Sequence, residues 1–318
     1  MRGVVVTAGG TRARAKSSEE LLAGPIRGEL LGADHLAARA RALARSQSVS
    51  SKSAKAARVS MHSTRLLQRL ADTKRVLRAA HGRLQASPSE VEEAGPAAEW
   101  LLDNFHVIQE QLQEVRSSLP RGYYRELPEL RSGPLTGYPR VYEIAITLIS
   151  HTEARLDHAN VDLFLTSFQS VSPLSIGELW AVPSMLRLAL IESVRRMTLR
   201  VVERLDESRE ATQWAEEILA AGTQGGPELR TALRALADSD PALTPNFIAR
   251  LLQLLRQVDG ASPPLLWLEH WIRDAGGAPE QAIADSAQRH ALTQIMMSNS
   301  ITSLRNLGRR DWREFVEQ

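Results

Sequence analysis

Arginines and tyrosines alternate in two short pieces of the sequence, RGYYRELPEL and TGYPRVYE, and side chains of these types could bind a ligand. A tyrosine ring can stack on a sugar, and a guanidinium group can hold an anion through its fork of N–H donors. Tethering of a long loop to the protein body would explain the same composition, so both interpretations stay open. The candidate interaction surface consists of Tyr123, Tyr124, Arg125, Tyr138 and Arg140.

A second polar segment, from His151 to His158, contains two histidines and two carboxylates. On a helix these histidines would lie two turns apart, about 10 Å, whereas bonds from zinc to its ligands are about 2 Å long. We therefore predict a polar helix end there, with no metal site and no cofactor. We find no nucleophile elbow and no phosphate-binding loop. The sequence thus offers no catalytic residue, and it leaves open whether the protein works as part of an enzyme.

Large side chains and charges are distributed unevenly along the 318 residues. All fifteen aromatic residues lie beyond residue 95. Residues 1–81 carry 16 Lys and Arg against 5 Asp and Glu, whereas the remainder carries 23 against 32. A basic arm therefore precedes an acidic body, and such an arm can contact an anionic membrane surface or pair with the body. Because the chain has no cysteine, disulfides and thiolate metal sites are excluded.

Helical spacing dominates the sequence beyond the arm. Apolar residues step by four and three from Leu101 to Leu119, which predicts one helix that ends before a loop at 121–138. Asn160 is predicted to cap the next segment, Val161–Phe168. Ser175, followed by Glu178 three residues later, forms a capping box that should open a long helix over 176–205. A last short helix is expected from Asp311.

These patterns predict an all-α fold, an irregular bundle of about 8–11 helices with a basic, partly disordered N-terminal arm. Residues 1–60 are expected to form the arm and a linker, which can hold a short helix at 25–45. Residues 61–95 are expected to form a basic helix and linker, and 96–318 the main helical domain. No segment contains the roughly 18 uninterrupted apolar residues that a membrane helix needs.

Four longer pieces of sequence occur in a distinctive order. They read AAEWLLDNFHVIQEQLQEVRSSLPRGYYRELPEL, GYPRVYEIA, SIGELWAVPSMLRLALIESVRRM and ITSLRNLGRRDWREFVE. In this order they closely resemble the N-terminal region of bacterial cyclic β-1,2-glucan synthases. The resemblance covers about residues 96–318, and it extends more loosely to the basic segments before them.

The resemblance implies a module of a very large inner-membrane protein that builds β-1,2-glucan from UDP-glucose and cyclises it. In that family the transferase and phosphorylase-like modules lie downstream of the matched region. The resemblance therefore implies a non-catalytic helical module, cytoplasmic and at the inner face of the inner membrane, that scaffolds or regulates a membrane glucosyltransferase. Its expected partner is that transferase module or the remainder of a synthase.

Two alternative functions remain open at this point. The Tyr/Arg loop at 121–142 could make the chain a carbohydrate-binding module, with β-1,2-glucan as the expected ligand. The basic arm could instead make it an adaptor for anionic lipid or nucleic acid, of which we expect nucleic acid least.

Overall fold

The computed structural model describes residues 28–50, 61–258, 262–309 and 312, and within these ranges the fold is all-α as predicted. The described residues form thirteen helices rather than the about 8–11 expected, partly because one predicted helix is divided in two and short helices form in segments expected to be linker or loop. Much of the predicted arm (residues 1–27 and 51–60) lies outside the described residues, and so does nearly all of the short helix expected from Asp311.

The helices are α1 (Ala33–Ser46), α2 (Met61–Ala86), α3 (Pro88–Ala94), α4 (Pro96–Asp103), α5 (Phe105–Ser118), α6 (Arg121–Glu126), α7 (Arg140–His151), α8 (His158–Gln169), α9 (Ile176–Gln224), α10 (Gly226–Asp238), α11 (Pro245–Arg256), α12 (Ser262–Asp274) and α13 (Pro279–Arg309). Two strands, β1 (Val49–Ser50) and β2 (Glu129–Leu130), pair antiparallel. None of the described helices has both the length and the apolar character needed to cross a bilayer.

The 49-residue helix α9 forms the axis of the fold. Every residue from Ala181 to Val194 is buried, and helices α2, α5, α7 and α13 contact α9. A helix segment that is mostly apolar on every side belongs inside a protein core, which explains why so many elements surround this one. The predicted end at residue 205 is wrong, because buried residues continue at helical spacing through Ala211, Ala215 and Ile218.

The buried apolar residues form two clusters that share α9 and α13. The first contains residues of α1 to α9 together with the second half of α13, including Ile301 and Leu304. The second contains the C-terminal part of α9, α10, α11, α12 and the start of α13. Helices on both sides of residue 95 contribute to the first cluster, and the domain boundaries drawn from the sequence stay predictions.

One predicted helix and one predicted loop have a different form in the structure. The helix expected over 101–119 is divided into α4 and α5 at Asn104, whose side-chain amide donates a 2.8 Å hydrogen bond to the carbonyl of Trp100. Arg305 of α13 donates to the same side chain, so a distant helix fixes the break. The segment expected to be a loop from residue 121 begins with α6, because burial of Tyr124 favours a turn that faces inward.

One of the two predicted helix caps is present in the structure, and the other lies at a different residue. Ser175 and Glu178 form the predicted capping box at the start of α9. The N-cap residue of α8 is Asp157. Asn160, which was predicted to be the N-cap, is the third residue of the helix. Its side chain instead accepts a hydrogen bond from the backbone of Asp157, which completes a second capping box.

Replacement of His81 should change how stability depends on pH. The ring of His81 stacks on Phe105 with centroids 3.9 Å apart, and burial lowers the pKa of this histidine. A histidine whose pKa is lower in the folded than in the unfolded protein stabilises the fold when the pH is above its ordinary pKa of about 6.5. That stabilisation is lost as the pH falls. We expect His81→Phe, which keeps an aromatic ring, to lose less stability than the wild type between pH 7 and pH 5.

Urea unfolding of both proteins at each pH measures this difference. The comparison removes the contributions of His290, Glu143 and Glu207, whose pKa values are also shifted by burial. Equal losses of stability in the two proteins would contradict a neutral, stacked His81.

Candidate functional site

Two of the three tyrosines in the candidate surface lie in the hydrophobic core. Tyr124 is 1% exposed and Tyr138 is 5% exposed. Tyr138 stacks on buried Tyr142, with ring centroids 5.8 Å apart at an angle of 27°. This placement favours the tethering interpretation, because neither ring presents a free face. A sugar-binding role for these two rings stays a prediction, and the side chain of Arg125 lies outside the described part of the structure.

Arg140, the last member of the candidate surface, is occupied by the protein itself. Its guanidinium group is 7% exposed and forms a two-pronged ion pair with Glu178, with Nη2 donating to Oε2 over 2.8 Å. It also donates to the hydroxyl of Ser172 over 2.9 Å and to the carbonyl of Pro173 over 2.8 Å. Arg140 therefore joins the first residue of α7 to the loop that leads into α9.

Glu178 performs two tasks at once at the start of α9. Its Oε2 accepts hydrogen bonds from the backbone N–H of Ser175 over 3.0 Å and from the Ser175 hydroxyl over 2.9 Å. The same carboxylate pairs with Arg140 while only 1% exposed. A buried charge needs such complete pairing, because removal of one partner leaves the other without solvation. The first turn of α9 is thus held rigidly against α7.

Among the members of the candidate surface whose side chains the structure describes, Tyr123 is the one that remains partly accessible. It is half-buried, and its hydroxyl donates to the carbonyl of Gly177 in the first turn of α9. A side chain placed at Gly177 would begin 3.9 Å from the ring of Tyr123, so the ring lies close against this glycine. Burial raises the pKa of Tyr123, and the nearby Glu126 and Glu178 raise it further, so the hydroxyl stays protonated as a donor.

Two large apolar side chains near the start of α9 were missed by the sequence analysis. Ile176 is 72% exposed and Trp180 is 43% exposed. They are four residues apart and therefore on one face of α9, opposite the buried Glu178, Ala181 and Val182. A helical projection of SIGELWAV could have identified them, since both lie away from the buried stripe. We call Tyr123, Ile176, Gly177 and Trp180 the α9 entrance patch.

The His151 segment holds the N-terminal part of the described chain. The Nε2 atom of His151 accepts a 3.3 Å hydrogen bond from Arg39, so Nδ1 carries the proton and donates over 2.7 Å to the carbonyl of Glu29. The backbone N–H of Gly28 also donates to the carbonyl of Ser150 over 2.8 Å. In the described ranges, no three His, Asp or Glu side chains are grouped as metal ligands would be.

Comparison with known proteins adds a relationship that the geometry alone does not give. No family model matches the sequence. The chain is 36% identical, over 246 residues or 76% of its length, to the cyclic beta-(1,2)-glucan synthase NdvB of Rhizobium meliloti (strain 1021). The chain is a relative of one segment of the cyclic β-1,2-glucan synthases. That segment amounts to 8% of the synthase, and the match is consistent with the N-terminal region predicted from the sequence.

The chain spans 8% of the length of this relative. A cyclic β-1,2-glucan synthase is far longer than this chain, so its activity, substrates and partners do not transfer with the match. The comparison shows a related module of that family, and the role of the module rests on the arrangement described above.

Removal of the Glu178 charge should strongly destabilise the fold. Glu178→Gln would leave the buried guanidinium of Arg140 without its counter-charge, and breaking a buried pair in this way costs about 3–5 kcal/mol. Chemical denaturation measures the change in unfolding free energy. The matched control is Asp72→Asn, which breaks the exposed pair between Asp72 and Arg75 and should cost less than about 1 kcal/mol. Similar losses in both variants would contradict the structural role of the buried pair.

Proposed function

We propose that this chain is a non-catalytic helical module that docks on a membrane glucosyltransferase module, or on the remainder of a synthase, and positions it. The observation that supports this most directly is the exposed α9 entrance patch in a chain that is similar to 8% of a much longer synthase. A short related segment of a large protein has neighbouring modules to pack against. The patch is the surface on which we place that contact.

The chemistry of the patch suits a protein partner. Trp180 and Ile176 present apolar area, and Tyr123 adds an aromatic edge whose hydroxyl is already hydrogen-bonded. Aromatic side chains with few rotatable bonds dominate the binding energy of many protein interfaces. Because the capping box and the Arg140–Glu178 pair fix the first turn of α9, docking would cost little conformational entropy there.

We further propose a cytoplasmic position at the inner face of the bacterial inner membrane, where the chain would contact the membrane glucosyltransferase module. The basic composition of residues 1–81 supports this, since Lys and Arg are attracted to anionic lipids. Because most of the arm lies outside the described residues, the support is the charge of the sequence and not a surface of the structure.

A carbohydrate-binding role is the second candidate, and one observation favours it. The ring of Tyr123 lies against Gly177, Trp180 is three residues further along α9, and both aromatic residues are partly exposed. Partly exposed aromatic rings can stack on the face of a sugar. In this version of the proposal β-1,2-glucan, rather than a protein surface, would cover the α9 entrance patch.

Trp180→Ala should weaken the capture of a glucosyltransferase module roughly thirtyfold, since a central interface tryptophan contributes about 2 kcal/mol or more. The measurement is a binding titration of the purified chain against the transferase module of a cyclic β-1,2-glucan synthase. Leu266→Ala is the matched control, because Leu266 is a 67% exposed apolar residue on the distant helix α12. It should leave the affinity unchanged.

The same proteins separate the two candidate functions. If the transferase module binds wild type and Trp180→Ala equally, the docking proposal is wrong. Titration with β-1,2-glucan, followed by tryptophan fluorescence, would then favour the carbohydrate-binding alternative if the signal saturates in the wild type and is lost in Trp180→Ala.

A further inference from the structure

A polar cleft of about 420 Å³ lies where the two hydrophobic clusters meet, between helices α9, α11 and α13. Its charged side chains are Arg200, Glu203, Arg204 and Glu207 from α9, and Arg289 from α13. Cavities of this size are typical of small-molecule sites, which often form at boundaries between packing units. The cleft is far along α9 from the entrance patch, so it is independent of the docking proposed above.

Arg204 is a half-buried cation whose hydrogen-bond partners are all neutral. Nε donates to the side-chain oxygen of Asn246 over 3.2 Å, and Nη1 donates to the carbonyl of Glu93 over 3.2 Å and to Nδ1 of His290 over 3.0 Å. No carboxylate among the described residues forms an ion pair with Arg204. Burial lowers the pKa of Arg204, the nearby carboxylate of Glu93 raises it, and Arg250 lowers it again. A buried guanidinium of this kind favours an incoming anion.

His290 is a neutral hydrogen-bond acceptor for Arg204 in this part of the cleft. Because a guanidinium group only donates, Nδ1 of His290 must accept from Arg204, and the ring proton lies on Nε2. Nε2 of His290 is 2.7 Å from the amide nitrogen of Gln294, so this amide has to turn over for its oxygen to accept that proton. Burial and the nearby Arg204 lower the pKa of His290, so the ring stays neutral.

The remaining charges of the cleft suit a ligand that also donates hydrogen bonds. Arg289 is exposed at the rim on α13, and Arg200 is one helical turn from Arg204. Burial raises the pKa of Glu207, whereas the side chains of Thr244, Asn246 and Arg289 lower it. The exposed Glu203 lies one turn away on the same helix. Carboxylates that line a cationic cleft accept hydrogen bonds, and hydroxyl groups are donors of that kind.

We propose that this cleft binds a small organic anion that carries hydroxyl groups. The phosphate or carboxylate group of the ligand would contact Arg204 and Arg289, and its hydroxyl groups would donate to Glu203 and Glu207. A bound ligand would link α9 to α13 across the seam between the two clusters. An inorganic anion alone would leave most of the cavity unfilled.

Calorimetric titration of the full chain at constant ionic strength tests this proposal with four probes. Glucose 6-phosphate and gluconate carry both an anion and hydroxyl groups, inorganic phosphate carries only the anion, and glucose only the hydroxyl groups. We expect saturable binding of one ligand per chain for at least one of the first two, and the stronger of them identifies the anionic group. Glucose and inorganic phosphate should bind at least about tenfold more weakly.

Three variants locate the binding. Arg289→Gln removes an exposed cation at the rim and should lower the affinity about tenfold without affecting the fold. Arg204→Lys keeps the buried charge but loses the forked geometry, and should weaken binding similarly. Arg230→Gln, at an exposed position on α10, is the charge-matched control and should bind like the wild type.

Several results would overturn the proposal. One is the absence of saturable heat from both organic anions. Another is binding that Arg289→Gln and Arg204→Lys leave unchanged, or that Arg230→Gln weakens equally. Equal binding of inorganic phosphate or of glucose would show that the cleft does not select the combined ligand. Circular dichroism of each variant establishes that a loss of binding is not a loss of helices.

Discussion

The burial of residues 181–194 of α9 on all sides is the constraint on which the rest of the structure depends. A helix of 49 residues extends about 74 Å, which is longer than one small hydrophobic core can cover. The chain therefore builds two clusters along it, the first around residues 181–205 and the second around residues 211–218. The seam between them is polar and contains the cleft, and the amino-terminal end of the helix emerges from the first cluster with an apolar patch.

The buried pair of Arg140 and Glu178 turns this arrangement into a defined surface. It joins α7 to α9 and fixes the loop between them, while the tyrosine loop packs beneath it through Tyr124 and Tyr138. The tyrosines and arginines of this segment suggested a binding loop, whereas in the structure Tyr123 and Arg140 hold another part of the chain in place. What they anchor is the first turn of α9, and the exposed face of that turn is where we place a partner of the synthase type.

Local signals in the sequence determined much of the fold in advance. The 3.6-residue spacing and the Ser175 capping box depend only on neighbouring residues, so they predicted helices and the start of α9 correctly. The break at Asn104 depends on Arg305, two hundred residues away, and no local pattern reveals it. Burial of aromatic rings is equally a tertiary property, which is why the candidate surface named buried tyrosines and omitted exposed Trp180.

Site-specific photo-crosslinking tests the central claim, that the exposed end of α9 docks on a glucosyltransferase module. A photoreactive amino acid would replace Trp180 in one protein and Leu266 in another, each present with the transferase module of a synthase in bacterial membranes. The account predicts crosslinks to that module from position 180 and none from position 266. Crosslinks from position 266 alone, or none from position 180 while the two proteins co-purify, would contradict it.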